Sequence, residues 1–570
     1  MPSQCYWSFC FFHLSKDAPK FFGFSEYLAA VALMALAWTI ADVRYKFRIA
    51  TAPLPLQVTT YAVVGIIGFL TLVTDWWRAE QWLVPEGSLM TIARWQALLG
   101  FAFLINFMAW AWFAFIKPPT YSKLNAYRFA REIYRTILRG SPTEMAEIAD
   151  ELARSARALV RNAWQPNEVD IAKKIAPRKG NNPSRRYLAR QCATEILLLI
   201  ADKKFCRQAA TSSPVIATAL FEQLRSQGRY HISLGTFAKN FTAEAIANKD
   251  SFAFHETEGY YTGYIGYQKP ITRSVYGDYT TAAYLEELFD IPYDEQRRWD
   301  AEQWEAFCRL LMTTITDCAQ NTITVDYPPI IARAVESIGR SVITLYKLNG
   351  SSLDCWDHEE VKKLNVAVDF SIEFVNTLNK HPKQLQVTLR RHSDDHQRDI
   401  CDMIAELMFE LIFSASAIKA PRDLCWSIQH NDVWSRLFDN LHMNGPAAEI
   451  VRFKLKRLLL NEIKEMNDFP NYKNSKYLGL MLNVMGLQYN KHAHTKSTRA
   501  LHRAVIRWTV KNFARLATLQ PTVAENALVD GLTYDNQLQH LVYTRRSILD
   551  RKVEPVVLKL APFSRERQVD

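Results

Sequence analysis

A cluster of arginine, histidine and aspartate residues in the second half of the chain has the residue types and the spacing for chemistry. It reads Arg-Arg-His-Ser-Asp-Asp-His, from Arg390 to His396. On a helix, His392 and His396 would lie one turn apart on the same face. With Asp395 they could hold a divalent metal ion, because imidazole and carboxylate groups are common metal ligands. The same residues could instead form the exposed first turn of a helix, where Asp is favoured by the helix dipole.

The cluster also contains an arginine and a histidine at the spacing of a known ribonuclease motif. Arg391 is followed, after four intervening residues, by His396. This spacing resembles the Arg-x4–6-His motif of the HEPN ribonucleases, which are all-helical domains that sometimes accompany membrane spans. The resemblance covers a few residues of the chain. It implies that Arg391 and His396 would act as an RNA-cleaving pair in a dimeric cleft.

Other catalytic motifs are absent from the sequence. It contains no G-x-x-x-x-G-K-[ST], no G-x-G-x-x-G that opens a helix after a strand, and no G-x-S-x-G. An ATPase, a Rossmann oxidoreductase and an α/β-hydrolase are therefore disfavoured. The nine cysteines form no C-x-x-C pair, which disfavours a zinc site of that type. We predict no cofactor, and a protein that is not an enzyme is favoured over one that is.

Three long apolar runs near the N-terminus determine where any site in this chain would act. They cover residues 21–43, 58–73 and 96–116, and nothing comparable follows. Roughly 20 residues of α-helix cross the hydrocarbon core of a bilayer, so the runs predict three transmembrane helices. Tryptophans are concentrated between the second and third runs, as in the aromatic belt at a bilayer interface. They are Trp76, Trp77, Trp82 and Trp95.

The distribution of lysine and arginine predicts the orientation of the spans. Arg44, Lys46 and Arg48 follow the first run in a predicted loop, and six further basic residues lie between Lys117 and Arg139. The positive-inside rule places both segments in the cytoplasm. We therefore predict a multi-pass integral protein of a cell (inner) membrane. Its N-terminus would lie outside and its large C-terminal domain in the cytoplasm.

Polar and small residues within the runs indicate whether the spans could form a pore as well as anchor the protein in the membrane. Asn106 lies in the middle of the third run, and the first run is rich in alanine. A buried amide in lipid usually has a partner, and small residues let helices approach closely. Both features fit an oligomeric pore, and both fit ordinary packing of three helices in one subunit. No run carries a charged residue near its middle, which disfavours an ion transporter.

The remainder of the chain has helix signals throughout. Only 19 glycines are present, and strand-like alternation is rare. Ser141 with Glu144, Asp300 with Gln303, and Asp357 with Glu360 have the sequence of helix capping boxes. The predicted fold class is an all-α membrane protein, with three N-terminal transmembrane helices followed by a large cytoplasmic α-helical bundle or an irregular α-solenoid. Helices towards the C-terminus are predicted over 397–419, 445–466, 474–489, 497–519 and 521–548.

Changes in composition predict the domain boundaries and a basic loop. The predicted parts are an N-terminal segment at 1–20, a transmembrane module at 21–117, a helical connector at 118–186 and a helical domain at 187–570. The connector ends in a basic, Pro- and Gly-containing loop, which would be attracted to anionic lipid by about 1 kcal/mol per charge. The loop could instead bind nucleic acid, or it could be a solvated loop with no partner. Its charged members are Lys173, Lys174, Arg178, Lys179, Arg185 and Arg186.

A tyrosine- and glycine-rich insertion at 255–279 interrupts the helical pattern. Tyrosine adds rigid, amphipathic contact area, and long irregular segments in compact domains are often functional. The insertion is therefore the leading candidate for binding a ligand or a partner. The alternative is an ordered loop or small hairpin packed across the helices. The candidate binding residues are Tyr260, Tyr261, Tyr264, Tyr267, Lys269 and Arg273.

Together these features predict a membrane-anchored sensor, scaffold or effector. Its cytoplasmic helical domain would bind a protein, a ligand or nucleic acid at the bilayer. Two other hypotheses stay open, an oligomeric pore or channel-like effector and a membrane-tethered HEPN-like ribonuclease. The expected partners are the lipid bilayer and a protein, which could be a further copy of the chain.

Overall fold

The structure is a computed structural model in which the chain forms two compact units, Met1–Phe241 and Thr242–Asp570. Most of the described residues are helical, as predicted, and the few strands are short. The predicted boundary at residue 186 lies inside the first unit. The structure describes residues 4–6, 9–13, 20–40, 42–85, 91–168, 184–256, 260–262, 266–321, 327–351, 357–381, 398–439, 443–488, 498–544 and 554–563.

The first unit begins with a small antiparallel sheet and continues as helices. The sheet has the order β1 (Gln4–Tyr6), β2 (Phe9–His13) and β3 (Leu83–Pro85), and Cys5 lies opposite Cys10 in its register. The helices are α1 (Phe24–Ile40), α2 (Val43–Ala50), α3 (Leu56–Ala79), α4 (Ile92–Ala111), α5 (Ala126–Arg139), α6 (Pro142–Asn162), α7 (Arg185–Leu199), α8 (Lys203–Thr211) and α9 (Val215–Gln227). Helix α10 (Gly235–Ala247) crosses the boundary between the units.

Two described helices are long and apolar enough to cross a membrane. They are α3, with 24 residues, and Ile92–Ile116, with 25 residues, in which α4 continues as a π-helical segment. A third span is present if α1 and α2 are counted together as one broken span, bent by 111°. Large apolar side chains such as Leu33, Ile66 and Phe101 point outwards and are more than half exposed. The prediction of three apolar helices near the N-terminus is confirmed in part, because the described residues contain two such helices, or three if the bent pair forms one span.

A close contact between α1 and α3 holds the apolar helices together. The Tyr27 hydroxyl donates a hydrogen bond of 2.9 Å to the Val64 carbonyl. Gly68 provides the room for this ring, because a Cβ at that position would lie 2.5 Å from the Tyr27 hydroxyl oxygen. Leu99 and Phe103 of α4 complete the same apolar cluster. The glycine therefore has a packing role within the spans.

The segment after the first apolar run is a helix and was wrongly predicted as a loop. Asp42 caps α2 by accepting a hydrogen bond of 2.7 Å from the Val43 amide. Along α2, Phe47 and Ile49 are buried whereas Lys46 is exposed. This amphipathic pattern extends over only eight residues, which is too short to stand out in the sequence.

The second unit is a helical assembly in which one helix occupies the centre. Helix α18 (Ile400–Ser416) packs against α16 (Pro329–Ser341), α17 (Glu359–Lys380), α20 (Pro446–Glu465) and α21 (Tyr472–Met485). The helices are α11 (Phe252–His255), α12 (Pro270–Tyr276), α13 (Tyr279–Leu285), α14 (Tyr293–Gln296), α15 (Ala301–Gln320), α16 (Pro329–Ser341), α17 (Glu359–Lys380), α18 (Ile400–Ser416), α19 (Arg422–Trp426), α20 (Pro446–Glu465), α21 (Tyr472–Met485), α22 (Arg499–Leu519) and α23 (Pro521–Asn526). A 3-10 segment covers Ile343–Leu348 and a π-helical segment covers Ser427–Asp439.

The capping boxes predicted at Ser141 and Asp300 are present, whereas the cap predicted at Asp357 with Glu360 is wrong, because α17 begins after His358 and no side chain caps it. The Ser141 side chain accepts from the Glu144 amide at the start of α6, and the Glu144 carboxylate accepts from the Ser141 amide. Asp300 and Gln303 make the same reciprocal pair at the start of α15. Each box satisfies backbone amides that have no partner within the helix, and so determines where the helix begins.

The predicted helix over 521–548 is wrong for residues 527–544, and its last four residues lie outside the described residues. The chain turns at Gly531, whose φ of +95° favours glycine, and enters a three-stranded antiparallel sheet. Alternate side chains of these strands, such as Leu541 and Tyr543, are buried. This two-residue alternation occupies only four residues per strand, and apolar runs that short do not distinguish a strand from a helix. The strands are β6 (Leu532–Asp535), β7 (His540–Tyr543) and β8 (Val556–Lys559).

Candidate functional site at the ends of the apolar helices

A buried ion pair joins α2 to α6 within the first unit. The Arg48 Nη2 atom lies 2.6 Å from the Glu151 Oε1 atom. Arg48 is 6% exposed and Glu151 is 4% exposed. Two charges so fully removed from water are stable only when paired and hydrogen-bonded, because each has lost its hydration. The pair therefore fixes the position of α2 on α6.

Arg48 also binds the end of the third apolar helix. Its Nη1 atom donates a hydrogen bond of 2.9 Å to the carbonyl of Ala114, in the π-helical segment that ends at Ile116. Carbonyls in the last turn of a helix have no partner within the helix, and that end of the helix dipole attracts positive charge. One guanidinium thus connects α2, α6 and the end of a candidate membrane span.

A second, more exposed set of contacts surrounds this pair. The Arg44 Nη2 atom lies 3.2 Å from the Asp150 Oδ2 atom, and these side chains are 34% and 44% exposed. The Arg44 amide donates to the Glu147 carboxylate at 3.2 Å. Burial, together with the neighbouring Asp42 carboxylate, raises the pKa of Glu147 above its usual value. The Arg44 Nε atom also lies 3.7 Å from the Glu151 Oε1 atom, a longer contact than that of Arg48. Because Arg44 is more exposed than Arg48, its ion pairs should contribute less to stability, so Arg44 is the comparison residue for Arg48.

Helix α5 holds the connection that follows α2. The Asn125 side-chain amide donates to the Thr51 carbonyl at 2.7 Å, and Arg128 donates to the Ala52 carbonyl at 2.8 Å. Both acceptors lie between α2 and α3. The five residues that connect α2 to the second apolar helix are therefore bound to the same helices as α2 itself.

We use the term junction for Arg44, Arg48, Glu147, Asp150 and Glu151, together with the Ala114 carbonyl. Arg48 pairs with Glu151, Arg44 pairs with Asp150, and Asp150 also accepts a hydrogen bond from the Ser213 hydroxyl. Movement of α6 would displace α2 and the end of α4 together, because breaking the buried pair would leave an unpaired charge.

Asn106 of α4 has a buried side-chain Nδ2 atom that meets no hydrogen-bond acceptor among the described residues. An unsatisfied buried donor costs about 1–3 kcal/mol. We expect Asn106→Leu to raise the melting temperature of the purified protein. Asn125→Leu is the matched control, and it should lower the melting temperature because the Asn125 amide is hydrogen-bonded. If Asn106→Leu lowered it instead, a second copy would be supplying the acceptor, as the pore hypothesis requires.

The predicted binding insertion contains a two-stranded antiparallel hairpin. Tyr260 and Tyr261 lie in β4 (Tyr260–Thr262), and Tyr267 lies in β5 (Gly266–Gln268) and pairs with Tyr261. Tyr264 lies outside the described residues. The buried Glu256 carboxylate accepts from the Ile271 and Thr272 amides at 3.1 and 2.8 Å, and so ties the two ends of the hairpin together.

The two charged candidates of the insertion differ in environment. Arg273 is exposed, whereas Lys269 is partly buried, and this burial lowers the pKa of its ammonium group. Two tyrosines near the end of the insertion belong to the core: Tyr276 donates to or accepts from Thr242 at 2.9 Å, and burial raises the pKa of Tyr279 to about 12. A ligand-binding role for the insertion stays a prediction.

The other predicted sites lie largely outside the described residues. Arg185 and Arg186 form the exposed first turn of α7. Residues 169–183, which carry the rest of the basic loop, are outside them, and so are residues 382–397, which carry the arginine–histidine cluster. The metal, ribonuclease and anionic-lipid hypotheses stay predictions. The undescribed residues are Lys173, Lys174, Arg178, Lys179, Arg391, His392, Asp395 and His396.

The junction was not predicted as a site, although the sequence contains a signal for it. Arg44 and Arg48 are spaced by one turn, and so are Glu147 and Glu151. Two helices with such matching charge stripes can pair. The carboxylate partners of Arg44 and Arg48 lie 106 and 103 positions away along the chain, so helix spacing alone does not show which stripe pairs with which.

No protein-family model, curated protein or solved structure matches this chain. Its function is therefore argued from the geometry of its own residues.

Proposed function

We propose that this protein is a membrane-anchored sensor or effector, whose cytoplasmic helical part is coupled to the spans through the junction. The observation that carries the proposal is the double contact of Arg48. One side chain binds both Glu151 of α6 and the Ala114 carbonyl at the end of the third apolar helix. An anchor alone needs no buried charge at this point, whereas a transmitter needs a rigid link.

The exposed apolar surface of α1, α3 and α4 supports the membrane part of the proposal. Large apolar patches on a monomer usually contact lipid or protein rather than water. The order of the elements supports the orientation, because α2 and the basic residues up to Arg139 would lie on one side. In this arrangement the exposed Lys46 of α2 would face lipid headgroups, as in amphipathic helices that lie along a bilayer surface.

Labelling of single cysteines tests anchoring and orientation together. We would replace Cys5, Cys10 and Cys355 by Ser and introduce either Glu80→Cys or Arg139→Cys, both at exposed positions. A membrane-impermeant maleimide should label the first variant on intact cells. It should label the second only after the cells are permeabilised.

A second measurement on the same variants is the fraction of protein that stays in the membrane pellet after extraction at alkaline pH. We expect both variants to stay in the membrane fraction. Labelling of Arg139→Cys on intact cells would show that the orientation is opposite to the proposed one. Release of both variants by alkali would reject the proposal that the protein is anchored in the membrane.

A further inference from the structure

A groove runs between two neighbouring helices of the second unit, α16 and α18. Tyr327, just before α16, lies beside Arg398, just before α18. Further along, a Cβ on Gly339 would lie 3.4 Å from the Leu407 Cδ1 atom and 3.9 Å from the Glu410 Cβ atom. The two helices therefore run side by side in the same direction. We call the space they enclose the α16–α18 groove.

The shape of the α16–α18 groove is elongated. Its volume is about 670 Å³, and its α16 wall extends from Pro329 to Ile343. At a rise of 1.5 Å per residue this wall is roughly 20 Å long. A compact small molecule would fill only part of that length, whereas a helix of about four turns would fill it.

The floor of the groove is apolar and its walls are charged. Val335, Met403, Leu407 and Phe413 contribute to the floor, and glycine at 339 keeps it open. Two of the charges along the walls are satisfied within the protein. Arg340 lies 3.2 Å from Glu336, and Arg398 lies 3.6 Å from Glu406.

Two wall charges of opposite sign form no salt bridge with another described residue, although Lys473 is near enough to Glu410 to attract its carboxylate. They are Arg333 on α16 and Glu410 on α18. Glu410 lies beside Gly339, and Arg333 precedes Gly339 by six residues, so the two charges are about 9 Å apart along the helix axis. On a partner helix this distance corresponds to roughly two turns.

We infer that the α16–α18 groove binds an amphipathic helix of a partner protein. That helix would carry an apolar ridge, with one acidic and one basic residue two turns apart beside it. The acidic residue would meet Arg333 and the basic residue Glu410, as in other helix-in-groove complexes. A fatty-acyl chain has a similar length but a charge at one end only, so it would leave one of these wall charges without a partner. The inference rests on the proposed function and deepens it, because it names the class of partner that the helical part would sense.

A set of three fluorescent peptides tests this inference. All three are 18-residue helices with the same leucine ridge, and they differ at two flanking positions seven residues apart. These positions carry Glu and Lys, Lys and Lys, or Glu and Glu. Binding is measured by fluorescence anisotropy with the full-length protein in phosphatidylcholine nanodiscs, and empty nanodiscs report the background.

We expect the Glu/Lys peptide to bind at least about fivefold more tightly than either like-charged peptide. Arg333→Glu should change this preference to the Lys/Lys peptide. Gly339→Leu should weaken binding of every peptide at least tenfold, because the new side chain fills the groove. Gly339→Ala is the matched control and should bind like the unmodified protein, since its Cβ makes only ordinary contact with Leu407.

Three outcomes would overturn the inference. The first is binding no stronger than to empty nanodiscs. The second is a charge preference that Arg333→Glu does not change. The third is saturable binding of palmitate, lost in Gly339→Leu, with no peptide binding, which would assign the groove to an acyl chain. The cysteine-labelling experiment does not involve the groove. If the peptides fail to bind while the cysteines are labelled as expected, this inference is rejected and the proposed membrane anchoring is not.

Discussion

Replacing Arg48 with Met should destabilise the protein by about 3 kcal/mol, because the buried Glu151 carboxylate would lose its shorter ion pair and keep only the longer contact of 3.7 Å to the Arg44 Nε atom. The Ala114 carbonyl would also lose its hydrogen bond. The measurement is the melting temperature of the full-length protein in mild detergent. Arg44→Met is the comparison variant, and it should cost about 1 kcal/mol, because the Arg44–Asp150 pair is partly exposed and the Arg44–Glu151 contact is longer than the Arg48–Glu151 contact.

The double variant Arg48→Met, Glu151→Leu separates the loss of the pair from the cost of an unpaired charge. Replacing both partners of a buried ion pair with apolar residues is often neutral or stabilising. We therefore expect the double variant to recover most of the stability lost in Arg48→Met. Equal melting temperatures for Arg48→Met and Arg44→Met would contradict the buried position assigned to Arg48.

Two glycines of α3 should respond differently to the same substitution. Gly68→Ala should cost about 1–3 kcal/mol, because the new methyl group would overlap the Tyr27 ring and displace its hydroxyl from the Val64 carbonyl. Gly65→Ala adds a methyl group with no atom of the protein within 4 Å, so it should cost nothing. The measurement is again the melting temperature in mild detergent. A loss of equal size in both variants would show that α1 does not pack on α3 through Tyr27.

The sequence was sufficient to predict the apolar helices, because each one is encoded by a continuous run of residues. It located two capping boxes for the same reason, since Ser141 and Asp300 each act on residues three positions away. Signals of this kind are local and can be recognised without knowledge of the fold. The same local signals correctly predicted that most of the described residues are helical.

Features that depend on distant residues were not predictable in this way. Arg48 and Glu151 are 103 positions apart, and their pairing depends on how α2 packs on α6. The α16–α18 groove exists because Gly339 and Leu407, far apart in the chain, lie side by side. The C-terminal sheet was missed because each strand contributes only four residues, and their pairing across the sheet is not visible in any one segment.

Hydrogen exchange of the full-length protein in lipid nanodiscs tests the proposed coupling most directly. We would compare Arg48→Met with Arg44→Met over residues 43–50, 111–117 and 145–155, with residues 400–416 of the second unit as an internal reference. We expect Arg48→Met to accelerate exchange in all three segments, Arg44→Met to change them little, and the reference segment to be unaffected. Acceleration confined to residues 43–50 would contradict it, because α2 would then not connect the apolar helices to α6.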